Sequence, residues 1–237
     1  MIDTIIFDLD GTLLPIDEDV FIKKYFGLLS VKFTHLGIQK EKFIEAIWKG
    51  TMAMRKNDGS KSNEEAFWNL FTVEIGFKKE ELEDMFIDFY TNDFDLVKDS
   101  SKQNTLSKEV IKVLKKKKYK IVLATNPLFP RLAVEKRIAW AGLNKEDFSF
   151  ITSYENSSFC KPNLNYYQEV LEKINKTPEQ CIMVGNDAKE DMIVSTLGVK
   201  TFLVTDCLIN LDNIDISKFE NGDFNNLVNF INKLPNL

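Results

Sequence analysis

Ile5-Ile6-Phe7-Asp8-Leu9-Asp10-Gly11-Thr12-Leu13-Leu14 runs from apolar residues straight into two carboxylates one residue apart, then a glycine and a hydroxyl. Three consecutive large apolar residues suit a central strand covered on both faces. Side chains alternate along an extended chain, so Asp8 and Asp10 are expected to leave that strand on one side. Such a pair can share a metal, or divide into nucleophile and general acid/base. Open parallel sheets bind their ligands beyond the carboxyl ends of their strands, which is where this pair would stand. A strand ending in a solvated acidic turn would read the same over Asp8 to Gly11, so the rest of the chain decides.

The bulk composition sets the class. A chain of 237 residues, 44% hydrophobic and 28% charged, can bury a full core. Its net charge of -5 argues against a sequence-independent grip on nucleic acid, which needs a basic face. The basic cluster Lys115 to Lys118 reads as the solvated end of a helix, where positive charge suits the negative pole of the dipole. Cys160, Cys181 and Cys207 are odd in number and widely spaced, which fits neither a disulfide framework nor a zinc site. No apolar run reaches membrane-spanning length, and no basic segment followed by an apolar one opens the chain. A cytoplasmic protein without a membrane or nucleic-acid partner is expected.

Along the chain, residues 16–104 read as helical. Val20, Tyr25, Leu28, Phe33 and Leu36, then Phe43, Ile47 and Met54, recur at helical steps, and Ser62 with Glu65 forms a capping-box signature. Half of the chain's aromatic residues fall in this stretch, so it is expected to pack a core of its own. After residue 105 strands and helices alternate. Strands are expected over 119–124, 150–153, 181–184 and 201–204, and helices over 110–114, 131–141, 166–174 and 190–197. Alternation of this kind implies parallel pairing with right-handed crossovers. The expected fold is an α/β doubly wound parallel sheet, residues 1–15 and 105–237, split by a mostly helical insert over 16–104.

The residues just past each later strand are polar in a consistent way. After Ile121 to Ala124 comes Thr125-Asn126-Pro127. A hydroxyl and backbone amides there can hold a phosphate oxygen without adding negative charge, although Asn-Pro is also a common turn. After 150–153 and a loop comes Cys160-Lys161-Pro162, and after Cys181 to Val184 comes Gly185-Asn186-Asp187-Ala188-Lys189-Glu190-Asp191.

Taken together, Asp8-Leu9-Asp10-Gly11-Thr12-Leu13, Thr125, Lys161 and the acidic run from Gly185 resemble the four motifs of the haloacid dehalogenase-like hydrolase superfamily, in order and each after an expected strand. The insert falls where that superfamily carries a helical cap. The resemblance implies that Asp8 attacks a phosphate monoester to give an aspartyl-phosphate, and that Asp10 protonates the leaving alcohol and then activates water. It implies that Thr125, with Asn126 beside it, binds the phosphate and that Lys161 screens its charge. It further implies an Mg²⁺ site from Asp8, the backbone carbonyl of Asp10 and the fourth motif. The commoner form has Asp directly after the glycine, whereas this chain has Asn186 there and Asp187 one place later. Both are oxygen ligands suited to Mg²⁺, and which one is direct stays open, with Asp191 in support.

Members that dehalogenate lack a carboxylate at the second position, so Asp10 favours a phosphatase or a phosphomutase. With no sign of a cap built for a mutase, hydrolysis of a small phosphorylated metabolite is the expected reaction. The alternatives are a mutase, or a non-catalytic phosphate-binding or regulatory protein on the same scaffold. His35, the only histidine, reads as an exposed helix-end residue, and Arg55 to Gly59 as a cap turn that could reach an anionic substrate. Hinges for cap closure are expected near residues 15–18 and 98–106.

Overall fold

The computed structural model describes residues 1–237 and contains a single six-stranded sheet, ordered β3-β2-β1-β4-β5-β6. The strands are β1 (Thr4–Phe7), β2 (Lys120–Leu123), β3 (Phe150–Ile151), β4 (Cys181–Gly185), β5 (Lys200–Val204) and β6 (Glu220–Gly222). Every pairing is parallel. β1 lies between β2 and β4, with Phe7 beside Leu123 on one flank and Val184 on the other. All four β1 residues are buried, as the apolar run implied. At about 1.5–3 kcal/mol for each large apolar side chain, Ile5, Ile6 and Phe7 anchor the strand that carries the carboxylates.

Alternation along β1 distributes those side chains over two layers. Ile5 and Phe7 join a large apolar cluster with Ile121, Leu123, Ile182 and Val184, under α5 (Thr105–Lys116), α6 (Arg131–Trp140) and α8 (Phe224–Lys233). Ile6 joins the opposite layer with Val122, Met183 and α7 (Leu164–Ile174). Asn104 caps α5 by accepting from the Leu106 amide, and Val110, Ile111 and Leu114 form its buried face. No helix is long and apolar enough to cross a membrane.

Between β1 and α5 the chain is helical: α1 (Glu18–Lys32), α2 (Lys40–Arg55), α3 (Asn63–Ile75) and α4 (Lys79–Asp88), then shorter turns to Ser100. The capping box at Ser62 and Glu65 closes both ways, at 3.1 and 2.9 Å. The insert does not close a separate core. Phe94 packs on Trp140 of α6, with centroids 4.9 Å apart, and Phe21 packs on Phe129 at 5.9 Å. Its aromatic residues therefore belong to the same apolar cluster as the layer under the sheet. The segments that leave and re-enter the core run antiparallel at Ile16 and Ser101. The Asp17 amide donates to the Ser100 carbonyl and the Lys102 amide to that of Pro15, each at 2.9 Å.

Two expectations from the sequence are revised. The helix expected over 190–197 is a turn followed by a 3₁₀ segment over Met192–Leu197, because Asp191 is turned inward and Gly198 ends the segment at positive φ. The C-terminal strand β6 and helix α8, capped by Asp223, extend the core beyond the elements the sequence offered.

Candidate active site

β1 stops at Phe7, but the Asp8 amide still donates to the Val184 carbonyl, so the backbone of Asp8 is held by the sheet. The chain then turns tightly: Gly11 sits at φ +80°, and the amides of Thr12 and Leu14 both donate to the Leu9 carbonyl. A Cβ on Gly11 would lie 2.3 Å from Asn186 Nδ2, so glycine is required for space as well as for conformation. Asp8 and Asp10 thus reach one cavity through a turn rather than through strand alternation.

Lys161 is almost wholly buried and donates to Asp8 Oδ1 at 2.8 Å and to Asp191 Oδ1 at 2.6 Å. Burial raises the Asp8 carboxyl to about 7, against the pull of Lys161. Burial alone would lower the Lys161 ammonium, yet Asp191 and Asp8 together hold it well above its ordinary range. Thr12 Oγ1 donates to Asn186 Oδ1 at 2.8 Å, and Asn186 Nδ2 donates to the Cys207 carbonyl at 2.8 Å. Both ends of the Asn186 amide are therefore engaged. Asp187 is arranged differently. Its Oδ1 accepts from the amides of Lys189 and Glu190 at 2.7 and 2.8 Å, while its Oδ2 accepts no hydrogen bond and the residue lines the cavity.

The other expected residues are nearby. Thr125 is buried at the end of β2 and lines the cavity, with its carbonyl accepting from Thr152 Oγ1 and Tyr166 Oη at 2.8 Å each. Asn126 Nδ2 donates to Glu190 Oε2 at 2.9 Å, which occupies the amide expected to meet substrate, and its Oδ1 is buried without a partner. His35 is exposed and does not line the cavity. Arg55, at the end of α2, donates to Glu190 Oε1 at 3.3 Å, a contact between insert and core.

One residue was missed. Arg137, on α6, is 2% exposed and donates through Nη1 to Asp10 Oδ2; its guanidinium stacks on Phe129, 4.5 Å from the ring centroid. Burial raises the Asp10 carboxyl, and Arg137 opposes that rise. A signal existed: Ala133, Arg137 and Ala141 recur every four residues on a buried helical face, an apolar frame with one cation in it.

The cavity holds about 680 Å³ between the strand ends and the insert. Its charged lining comprises Asp8, Asp10, Glu18, Asp187, Glu190 and Asp191 against Arg55, Arg137 and Lys161. Carboxylates outnumber cations two to one, which is hostile to a dianionic ligand without further positive charge. No three carboxylate, histidine or cysteine side chains converge as a metal cluster. The oxygen-bearing groups available on the cavity wall are the carboxylates of Asp8 and Asp187 and, within the turn after β1, the Asp10 carbonyl, which accepts no backbone hydrogen bond. An all-oxygen set with few side chains suits a hard divalent cation that keeps several waters.

A family model for haloacid dehalogenase-like hydrolases matches residues 2–194. The pyrophosphatase PpaX of Bacillus mycoides (strain KBAB4) is 25% identical over 206 residues, covering 86% of this chain and 84% of that protein. Among solved structures, a HAD phosphatase from Thermococcus onnurineus superposes with a TM-score of 0.63 at 17% identity, covering 100% of both chains. The HAD-hydrolase YfnB from Bacillus subtilis, solved bound to magnesium, gives 0.57 at 18% identity over 98% of this chain and 99% of that one.

Proposed function

This chain belongs to the haloacid dehalogenase-like hydrolases, and from that premise we propose that it hydrolyses a small phosphate monoester through an aspartyl-phosphate on Asp8, with Mg²⁺ as cofactor. The observation that carries the reading is Lys161 between Asp8 and Asp191, with Asp10 on the same cavity wall. Asp8, fixed by the sheet at its backbone and by Lys161 at Oδ1, presents its carboxylate to phosphorus for in-line attack. Asp10, held by Arg137 with its carboxyl raised by burial, donates a proton to the leaving oxygen. The deprotonated Asp10 then takes a proton from the water that cleaves the acyl-phosphate. The Thr125 hydroxyl and the neighbouring amides receive the phosphate oxygens, and Lys161 offsets their charge.

Mg²⁺ would be held by Asp8, the Asp10 carbonyl and Asp187, with Asn186 and Asp191 bracing that loop, and it would neutralise charge on the phosphoryl group. This assignment rests on Asp187 Oδ2 being unengaged while the Asn186 amide is spent on Thr12 and Cys207. The magnesium-bound structural neighbour supports the choice of metal, and the pyrophosphatase relative supports hydrolysis at phosphorus.

The test is hydrolysis of a generic aryl phosphate with Mg²⁺, wild type beside Asp8→Asn. Activity lost on adding EDTA and absent from the variant is the expected result. Wild-type turnover by Asp8→Asn would overturn the nucleophile assignment, and turnover unaffected by EDTA would overturn the metal.

A further inference from the structure

The cavity is far larger than a phosphate group, and its far wall records what the rest of the ligand is like. More than half of its lining is apolar, and most of that comes from the insert: Phe21, Phe26, Ile47, Trp48, Phe67 and Phe86 among others. The polar groups of that wall are largely spent on each other. Tyr25 Oη and Tyr90 Oη pair at 2.7 Å, and Thr51 Oγ1 donates to the Ile47 carbonyl at 2.9 Å. A polyhydroxylated sugar would give up its water there and find few partners in exchange. Buried donors without a partner are Trp68 Nε1 on this wall and Nη2 of Arg137 beside Asp10.

The charges lead to the same reading. Each cation on the cavity is already paired, Arg137 to Asp10, Lys161 to Asp8 and Asp191, and Arg55 to Glu190. Glu18, Asp187 and Glu190 line the cavity as well. A second phosphate or carboxylate on the ligand would meet six carboxylates and three cations, each of the three already paired with a carboxylate. At the rim, side chains that ordinarily seek cover remain in solvent: Trp48 is 45% exposed, Met52 44% and Leu211 89%, and all three line the cavity. Trp48 packs beside Phe26 with centroids 5.3 Å apart, joining α1 and α2 across the rim. Grouped apolar surface of this kind marks a site that a ligand covers.

Building on the phosphatase reading, we propose that the substrate is a phosphate monoester whose alcohol half is an apolar body, aromatic or aliphatic, with no second anionic group. The insert wall desolvates that body, Trp68 accommodates one acceptor atom on it, and the phosphate alone reaches Asp8.

The test compares esters of primary alcohols, so that leaving groups are similar: 2-phenylethyl and n-octyl phosphate against glucose 6-phosphate and glycerol 3-phosphate, with pyrophosphate alongside. The expected kcat/KM advantage for the apolar esters is about tenfold or more, a size typical of discrimination in an apolar pocket. Trp48→Ala, a substitution at a half-exposed position, is expected to shrink that advantage several-fold. In parallel, 2-phenylethylphosphonate and methylphosphonate, which cannot be hydrolysed, are titrated calorimetrically with Mg²⁺ present. Tighter binding of the larger phosphonate by about tenfold supports the apolar site even if no ester is turned over, and in that case only the hydrolase reading falls. Equal binding of the two phosphonates overturns the apolar site. So does equal or faster turnover of the sugar phosphates or pyrophosphate, and that outcome leaves the hydrolase reading standing.

Discussion

Arg137 of α6 reaches across 127 residues of sequence to donate to Asp10 Oδ2, while its neighbouring Nη2 is buried with no partner. The pair gives Asp10 a fixed orientation and a countercharge that opposes the rise imposed by burial. Removing the guanidinium therefore has two effects with separate readouts. Arg137→Met is expected to cost about 3 kcal/mol in urea unfolding, the lower end for a broken buried pair because Asp10 keeps some solvent contact. It also raises the Asp10 carboxyl further, so the alkaline limb of the kcat profile moves to higher pH. A limb that stays in place would mean that Arg137 only supports the fold.

Lys161 separates two buried carboxylates. In Lys161→Met, Asp8 and Asp191 lose their shared cation and an incoming phosphate loses its nearest positive side chain. A fall of about 10²–10³ in kcat/KM is expected, the usual size for one preorganised electrostatic group. Assays at saturating Mg²⁺ would check this, and a loss of less than tenfold would argue against the role given to Lys161.

The buried Asp8 carboxyl makes the metal-free protein sensitive to pH. Its folded value of about 7 lies above the ordinary 3.8, so between roughly pH 4 and 7 the folded state keeps a proton that the unfolded state releases. Stability from this group therefore falls as pH rises through that window and levels off above it. Asp8→Asn has no such titration. In EDTA its stability relative to wild type should rise from pH 4 to 7, by a margin on the order of 3 kcal/mol. Parallel urea melts at the two ends of the window measure the difference.

Asn186 and Asp187 are neighbours with different engagements, which separates metal binding from stability. Asp187→Asn is expected to weaken Mg²⁺ binding by about tenfold or more, read by calorimetry. Asn186→Ala removes the donor to the Cys207 carbonyl and leaves Thr12 only Asp8 Oδ2 as acceptor, and is expected to cost about 1–3 kcal/mol of stability with a smaller effect on the metal. Reversal of the two outcomes would make Asn186 the direct ligand.

The central strands of the sheet were legible because they are buried runs of apolar residues. Ile5-Ile6-Phe7 and Ile121-Val122-Leu123 have no polar alternation to confuse with an amphipathic helix, and each ends in a polar cluster. The helical character of the insert was equally open to reading, since its apolar spacing and the Ser62 cap are local signals. Arg137 was not legible in the same way, because its meaning depends on Asp10 being opposite it, a relation set by packing and not by spacing. The engagement of Asn126 by Glu190 has the same origin. Which of residues 186 and 187 has a free side-chain oxygen turns on packing: Asn186 is held by Thr12 and by the Cys207 carbonyl, twenty-one residues away in a segment without regular structure. The unity of the aromatic layer across insert and core was hidden too, because composition counts rings without saying which ones meet.

The paired segments at Ile16 and Ser101 bear on how a chain like this one changes over generations. The insert departs and returns at a single point, stitched by two backbone hydrogen bonds that do not depend on what lies between them. Lengthening or replacing the intervening helices leaves that junction intact, and the closure entropy rises only slowly with the number of residues enclosed. Selection can therefore redraw the chamber that receives a molecule while the strand ends that cut it stay fixed. The cost falls on the rings that cross the boundary, Phe21 with Phe129 and Phe94 with Trp140, which any new insert has to match.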